Sequence, residues 1–511
     1  MSDLKTRTYR GAVWSAVDAI GARLVQFVIG IILARLLSPA EFGLIGMLAI
    51  FIAISQSLLS SGFVSALVQK EKVTTTDSSS VFYFNIAISV VLVSLFWLTA
   101  PLVASFYGQP LLTPMARALS LVVIVSGFSV VQSAMLTRNM DFRIQTKVSL
   151  GAGVCSGAIG IVMAYLGYGV WSLVVQQVSA AIFRTVLLWV FNSWRPRLVF
   201  SLTSLRRMFK FGSNVLASSL LSQAFQNIHY VVIGRLFTAA DLGFYTRAKH
   251  MEQLPAATLT SIVSRVAFPA FSTIHTDDAR LTRGLRKVLS VVMLFTAPVM
   301  VGLAVVAEPL VVALLTDTWL PSVPYLQLLC LVGLITPLHV LNMNVLMAKG
   351  RSDLSLRLDI AKKSLTLISI AIAWRWGIVA LIVGQIVVST LSLGLNTHYT
   401  RKFLGYGALG QIKDVAVYLV FALVMGIGVY SLTLLSFPGP ALLLLTQIVT
   451  GFGIYLLLCC AFRPPAFLEV LSLLRSRLGN TMPPSTGSDS SPKDGVTVTE
   501  VPTSELDGVR R

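Results

Sequence analysis

The chain has 511 residues, of which 55% are hydrophobic and only 12% are charged, and its formal net charge is +19. Soluble domains carry about a quarter charged residues, so this composition excludes a purely soluble protein and indicates that lipid solvates much of the surface. The four cysteines lie within apolar runs, which argues against a disulfide framework or a metal site.

Windows of about 20 mostly apolar residues predict fourteen membrane-spanning helices along the chain. The first apolar stretch is too long for the core of a signal peptide, so we expect it to be retained as a span. The seventh and eighth spans are unusually polar, and the count of fourteen depends most on them. The predicted spans are 12–33, 42–64, 81–105, 112–136, 148–166, 169–191, 213–234, 250–273, 288–312, 322–347, 355–376, 377–399, 414–436 and 440–461.

The distribution of basic residues predicts the topology. With a cytoplasmic N-terminus, 28 of the 40 Lys and Arg residues fall on inner segments and 6 on outer segments. This asymmetry follows the positive-inside rule, and one span more or fewer would invert every later loop. The net charge is therefore explained by topology, and nucleic-acid binding is a poor interpretation of it. Both termini are predicted to be cytoplasmic, with a largely disordered tail over 463–511.

A short motif joins the first two spans and recurs 200 residues later. Residues 35–43 read Arg-Leu-Leu-Ser-Pro-Ala-Glu-Phe-Gly, and residues 235–243 read Arg-Leu-Phe-Thr-Ala-Ala-Asp-Leu-Gly. Both copies fit a tight hairpin followed by a helix that begins with a capping box. Recurrence after six spans restores the chain direction, which predicts two parallel six-helix units related by an axis along the membrane normal. The candidate structural residues of the motif are Arg35, Ser38, Glu41, Gly43, Arg235, Thr238, Asp241 and Gly243.

The stretch from Ala34 to Gly43 resembles the signature near the start of bacterial polysaccharide exporters. These are lipid-linked oligosaccharide flippases of the multidrug/oligosaccharidyl-lipid/polysaccharide superfamily, and the colanic acid exporter type is the most alike. A second stretch, from Glu308 through Trp319 to Pro324, looks like the family's segment between its ninth and tenth spans, although Asp317 stands where glycine is expected. The resemblance covers about residues 5–462.

The resemblance implies an all-α polytopic membrane protein with two parallel six-helix lobes, 1–200 and 201–399, and two further helices within 400–462. It implies a transporter rather than an enzyme, one that flips undecaprenyl-diphosphate-linked oligosaccharide repeat units from the cytoplasmic to the periplasmic leaflet by alternating access. The pathways served would be those of exopolysaccharide, capsule or lipopolysaccharide in the bacterial inner membrane. Expected partners are the lipid-linked oligosaccharide, membrane lipids, and the polysaccharide polymerase and export machinery. A monomer without cofactor, metal or nucleic acid is expected.

Ionisable residues within spans are candidates for the transport path, because they are costly in lipid and usually face a cavity. Arg23 lies near the midplane of the first span and Arg265 deep in the eighth, where a guanidinium fork suits a diphosphate. The alternative is a buried Arg paired with a carboxylate or helix-end carbonyls, and Arg184 is expected to reach the inner surface. Asp18 is a candidate for binding a coupling cation or proton, or for pairing with an Arg of another helix.

The seventh span carries a polar face, which predicts that it lines a water-filled cavity. Gln223, Gln226 and Tyr230 lie on this face, and Asn227 adds to its polarity. Lipid does not accept such a face, so it must meet water or protein, and hydrogen bonding between helices is the alternative. A glycan would suit these amide and hydroxyl groups, which makes the four residues candidates for substrate binding.

Two other functions compete with a flippase. A drug/cation antiporter of the same superfamily is expected to need twelve spans and an acidic cation site. A polytopic glycan polymerase or ligase is expected to carry a long outer loop with clustered Arg, His or acidic residues, which the sequence lacks. No nucleotide-binding motif occurs, so ATP is not expected to drive transport.

Overall fold

The computed structural model describes residues 21–60, 62–435 and 437–479. No strand occurs within these ranges, and the prediction of an all-α membrane protein is confirmed. Short 3-10 turns occupy Asp317–Ser322, Trp374–Trp376 and Leu432–Leu434. The helices are α1 (21–36), α2 (Pro39–Ser60), α3 (Phe63–Gln69), α4 (Thr75–Tyr107), α5 (Leu112–Gly127), α6 (Val130–Arg138), α7 (Phe142–Tyr165), α8 (Val170–Phe191), α9 (Leu202–Gln226), α10 (Ile228–Leu236), α11 (Ala239–Thr273), α12 (Asp278–Val305), α13 (Ala307–Leu314), α14 (Val323–Ala348), α15 (Ser352–Ala373), α16 (Gly377–Leu404), α17 (Ala408–Ser431), α18 (Pro440–Phe462) and α19 (Pro465–Gly479).

Nine helical stretches among the described residues are long and apolar enough to cross a membrane, or ten if the bent pair α5 and α6 is one span. One of the nine, Asp353–Leu404, contains most of α15 and all of α16. The helices α9, α10 and α11 are not among the nine, because α10 has only nine residues and because charged and amide side chains lower the hydropathy of α9 and α11. The count of fourteen spans therefore stays a prediction.

Two features of the helices in the seventh and eighth predicted spans matter for the site. The helix α11 begins at Ala239, ahead of the apolar window 250–273, because the capping box that the sequence predicts at Thr238 and Asp241 starts the helix there. Arg247 and Lys249, which precede that window, therefore lie inside the helix. The seventh span is broken at Asn227, whose side-chain amide donates to the Gln223 carbonyl oxygen at 2.8 Å.

The two copies of the hairpin motif pack against each other. A Cβ atom at Gly43 would lie 1.7 Å from the Ala239 carbonyl oxygen, and one at Gly243 would lie 1.9 Å from the Pro39 carbonyl oxygen. Both distances are far inside van der Waals contact, so only glycine allows α2 and α11 to approach this closely. Each contact is the other shifted by 200 residues, which is the reciprocity expected of a local pseudo-two-fold axis. The division into two lobes remains a prediction that this contact supports.

A buried polar network joins α14, α16 and α17. Asn342 and Gln411 exchange two amide hydrogen bonds of 2.8 Å, and the Thr400 hydroxyl donates to the Asn342 side-chain oxygen at 2.8 Å. All three residues are at most 1% exposed. The network attaches α17, which lies beyond the predicted repeat, to the helices of the second half.

We expect Asn342→Leu and Gln411→Leu each to lower the free energy of unfolding by about 1–3 kcal/mol, because each leaves a buried amide unpaired. The double variant should lose less than the sum of the two, since neither amide then remains. Thermal unfolding of the purified protein in detergent measures all three values. Thr390→Val is the control, because the exposed Thr390 hydroxyl bonds only within its own helix. Strictly additive losses would contradict the paired arrangement.

Candidate functional site

A cavity of about 440 Å³ lies between α1, α2 and α8 on one side and α10 and α11 on the other. Its size and its mixed apolar and polar wall are typical of a binding site for a small molecule or for part of a larger one. The lining residues are Arg23, Gln26, Phe27, Phe42, Ile45, Gly46, Ala49, Leu173, Gln176, Gln177, Tyr230, Thr246, Arg247, His250, Gln253, Leu254 and Ala257.

Arg247 is the most constrained charge in the cavity wall. Its guanidinium carbon lies 4.1 Å from the centroid of the Phe42 ring, and a Cβ at Gly30 would lie 2.9 Å from its Nη1 atom. The aromatic face and the missing side chain at Gly30 hold the guanidinium in place. Within the described ranges, Arg247 has no ion pair and its buried Nε atom has no hydrogen-bond partner. The arrangement leaves a positive charge in the wall that an anionic ligand would neutralise.

Arg23 lies on α1 and crosses to α11, where its Nη1 atom donates to the Thr258 hydroxyl at 2.9 Å. The rest of the polar wall consists of amide, imidazole, phenol and hydroxyl groups on α1, α8, α10 and α11. Such groups form neutral hydrogen bonds and suit hydroxyl-rich ligands. No acidic residue occurs among the described residues of the lining. The cavity is therefore electropositive, with two arginines and no carboxylate in that part of its wall.

The end of the cavity that the topology prediction places outside is closed by the packed hairpin motifs. Trp319 is fully buried between Phe42 and Phe244, with ring centroids 5.4 Å and 6.0 Å away, and its indole nitrogen donates to the Ala34 carbonyl oxygen at 2.8 Å. Arg35 donates to the carbonyl oxygens of Ala313 and Leu314 at the end of α13. We call the Gly43–Ala239 and Gly243–Pro39 contacts, together with Trp319, the outer seal.

The motif residues have the local roles that capping chemistry requires. Glu41 accepts from the Ser38 backbone at 2.6 Å and from its hydroxyl at 2.9 Å, while Thr238 and Asp241 form the full reciprocal box. Arg235 lies over the Phe106 ring at 5.4 Å, whereas Arg35 contacts helix-end carbonyls. These bonds fix where α2 and α11 begin. They thereby place Gly43 and Gly243 at corresponding positions in the two helices.

The candidates for substrate binding, together with the coupling candidate Asp18, separate into three groups. Arg23 and Tyr230 line the cavity. Gln223, Gln226 and Asn227 are not among its lining residues, and the same face of α9 contacts α2 through a 2.6 Å hydrogen bond between Ser219 and Ser57. Two candidates fall on undescribed parts: Arg265 lies on α11 but its side chain is outside the described residues, and so is the whole of Asp18.

Sequence reasoning missed Arg247, His250 and Gln253, although the repeat contained a signal for them. At an offset of 200 these positions correspond to Met47, Ile50 and Ala53 in α2. The first copy shows that the scaffold needs no polar group there. Polar residues confined to the second copy therefore point to a ligand rather than to helix packing.

The family described as polysaccharide biosynthesis protein matches residues 32–324, more than half of the chain. The succinoglycan biosynthesis transport protein ExoT of Rhizobium meliloti is 31% identical over 330 residues, which cover 64% of this chain and 67% of that protein. The lipopolysaccharide biosynthesis protein WzxC of Escherichia coli is 28% identical over 403 residues, covering 77% and 80%.

Among solved structures, the lipid II flippase MurJ in an inward closed conformation superposes with a TM-score of 0.73 at 16% identity. The similarity covers 88% of this chain and 98% of that one. At this identity the comparison shows a shared fold and does not transfer a substrate.

Proposed function

Because this chain belongs to the polysaccharide biosynthesis protein family, we propose that it flips undecaprenyl-diphosphate-linked oligosaccharide repeat units from the cytoplasmic to the periplasmic leaflet. The observation that carries the proposal is the electropositive cavity with its arginines and glutamines. The site of action is the bacterial inner membrane, with both termini in the cytoplasm and with the polymerase and export machinery receiving the product.

The chemistry of the cavity suits the two parts of such a substrate. A diphosphate linker is an anion that needs compensation in a low-dielectric path, and Arg23 and Arg247 supply two positive charges. The sugars offer hydroxyl groups, which amides such as Gln176 and Gln253 bind as donors and acceptors. Rocking of the two six-helix lobes, with the outer seal opening and closing, would expose the cavity alternately to each side.

A drug/cation antiporter fits the cavity less well. A cationic drug needs a carboxylate in the binding site, and the described part of the lining supplies arginines instead. A glycan polymerase or ligase would be expected to carry a long outer loop with clustered Arg, His or acidic residues, which the sequence lacks. The membership of the chain in its family and the sign of the charge support the flippase.

Deletion of the gene tests the function directly. We expect loss of the surface polysaccharide and accumulation of undecaprenyl-diphosphate oligosaccharide in the cytoplasmic leaflet. Lipid extraction followed by mass spectrometry identifies the glycan, and the sidedness is measured by its accessibility to a membrane-impermeant lectin in inverted and right-side-out vesicles. The wild-type gene supplied in trans should restore both traits. Unchanged polysaccharide together with altered drug sensitivity would refute the proposal in favour of the antiporter.

A further inference from the structure

A buried ion pair lies on α11 directly behind the cavity wall. The Lys249 ammonium lies 2.8 Å from the Glu252 carboxylate, and the two side chains are 18% and 3% exposed. Glu252 lies about four turns into α11, among protein side chains. Ionisable residues at such a place are expensive and call for a functional explanation.

The internal repeat shows that packing does not require this pair. The residues of α2 that correspond to Lys249 and Glu252 are Ala49 and Ile52. Both helices begin with the same hairpin and pack at the same seal, so the apolar version is a natural control for the charged one. Replacing a buried ion pair by apolar residues is often neutral or stabilising. The charges of the second copy therefore serve something other than the fold.

The pair lies next to the substrate-facing side of α11. At about 100° per residue, His250, Gln253 and Ala257 fall within about 60° of one another and form the cavity stripe. Lys249 lies about 40° from Gln253 on the far side of the stripe, and Glu252 lies about 100° away in the same direction. Lys249 is thus placed between the carboxylate and the cavity, within reach of either through rotation of its side chain.

Other ionisable groups lie around the pair on α10, α11 and α14. On α11 itself these are Tyr245, Arg247 and His250, and α10 contributes His229 and Tyr230. On α14, the Cys330 thiol faces the pair, and Gly333 leaves space for the carboxylate, since a Cβ there would lie 2.7 Å from its Oε1 atom. The neutral Gln385 of α16 donates to the Tyr245 hydroxyl at 3.1 Å. Among these described groups, Glu252 is the one acidic carboxylate.

We propose that Glu252 is a proton-binding site that exchanges partners with the anionic substrate. In the empty carrier Lys249 is paired with Glu252. When a diphosphate enters, Lys249 pairs with a phosphate oxygen, and Glu252, now without its partner, takes up a proton from water in the cavity. One ion pair is exchanged for another, and neither Lys249 nor Glu252 is left as an unpaired charge inside the membrane.

This exchange links proton binding to substrate binding with a definite sign. Because the protonated form of Glu252 frees Lys249, a lower pH should strengthen binding of the anion, and binding of the anion should draw a proton onto the protein. The inference rests on the proposed function, since it assumes a diphosphate in the cavity. It adds to that function a residue that controls affinity without touching the substrate.

The test measures the affinity of the purified protein in detergent for geranyl diphosphate, a short prenyl diphosphate, at several pH values. In the wild type we expect the Kd to fall about fivefold or more between about pH 8 and about pH 6, beyond the change seen in Glu252→Gln. Glu252→Gln should bind tightly at both pH values, because a neutral side chain leaves Lys249 free. Lys249→Met should bind weakly at both. Comparison with Glu252→Gln removes the titration of the ligand and of the neighbouring histidines.

Glu308→Gln is the matched control, because Glu308 is an exposed carboxylate far along the chain from the pair and the substitution makes the same change in charge. It should keep the wild-type pH profile. Equal pH profiles for the wild type and Glu252→Gln would refute the exchange while leaving the flippase intact. Absence of geranyl diphosphate binding by the wild type at every pH would refute both. Thermal unfolding of each variant verifies that the protein is folded.

Discussion

Replacing Gly43 or Gly243 with alanine should abolish most of the export, although each substitution adds a single methyl group. The new Cβ would lie 1.7 Å from the Ala239 carbonyl oxygen in one case and 1.9 Å from the Pro39 carbonyl oxygen in the other. Both obstacles are backbone atoms, so no change of rotamer relieves them, and α2 must separate from α11. Overpacking of this kind costs about 1–3 kcal/mol, and about 1.4 kcal/mol shifts an equilibrium tenfold.

The expected defect is specific: the outer seal fails to close while the protein remains folded. A cysteine introduced at Ile45, which lines the cavity just inside the seal, reports this. A membrane-impermeant maleimide added from outside should label Ile45→Cys slowly in the wild type and faster by about tenfold in the Gly43→Ala or Gly243→Ala background. Because the two contacts are reciprocal, the two backgrounds should give similar rates. Cells carrying either variant should export about tenfold less polysaccharide.

Gly394→Ala and Gly453→Ala are the controls for this experiment. Both glycines lie inside helices, α16 and α18, and a Cβ at either would meet no described atom within 4 Å. Alanine is favoured over glycine in a helix by about 1 kcal/mol, so export should be unchanged or slightly better. Normal export and slow labelling in Gly43→Ala would show that the motif is only a hairpin. A loss in the controls would show that glycine matters for another reason.

The sequence predicted the helical membrane fold and the starts of α2 and α11, because these features depend on local chemistry. Apolar windows found the helices, and Ser38 and Thr238 with their acidic partners marked where two of them begin. Hydropathy alone placed the start of the eighth span only at residue 250, because an apolar window leaves out a segment that contains Arg247 and Lys249. In a transporter those are the informative residues, since charge within a span is kept only where it acts.

The pairing of side chains across helices could not be predicted from one sequence. Nothing in the spacing shows that Gly30 leaves room for Arg247, or that Trp319 fills the space between Phe42 and Phe244. The repeat came closest to predicting such a contact, since two copies related by an axis along the membrane normal must lie at the same depth in the membrane. It predicted that Gly43 and Gly243 correspond, but the distance between them depends on how two helices pack, which hydropathy does not record.

Arg247→Gln should abolish export as completely as any single change in the cavity. Arg247 is held over Phe42 with a guanidinium that has no ion pair among the described residues, so its charge is available to the diphosphate. Hydrogen bonds to charged groups contribute about 1.5–3 kcal/mol, so the affinity for geranyl diphosphate should fall about ten- to a hundredfold. Arg247→Lys keeps the charge but loses the planar fork and its stacking on the ring, so we expect partial export.

Arg23→Gln should weaken binding less than Arg247→Gln, because Arg23 already donates one hydrogen bond to Thr258. Arg375→Gln is the matched control. Its guanidinium also lies over an aromatic ring, Trp374 at 5.4 Å, but it is exposed and outside the cavity lining. Export and binding should stay at the wild-type level there. A similar loss in Arg375→Gln would point to net charge rather than to the cavity.

The outer seal offers the means to separate binding from gating in these variants. Arg247 stacks on Phe42, and Phe42 packs on Trp319, so loss of Arg247 could in principle loosen the seal instead of the substrate. If Arg247 acts on the substrate, Ile45→Cys should be labelled from outside as slowly in Arg247→Gln as in the wild type, while geranyl diphosphate no longer binds. Fast labelling with unchanged binding would assign Arg247 to the seal, and the cavity would then have to hold the diphosphate without it.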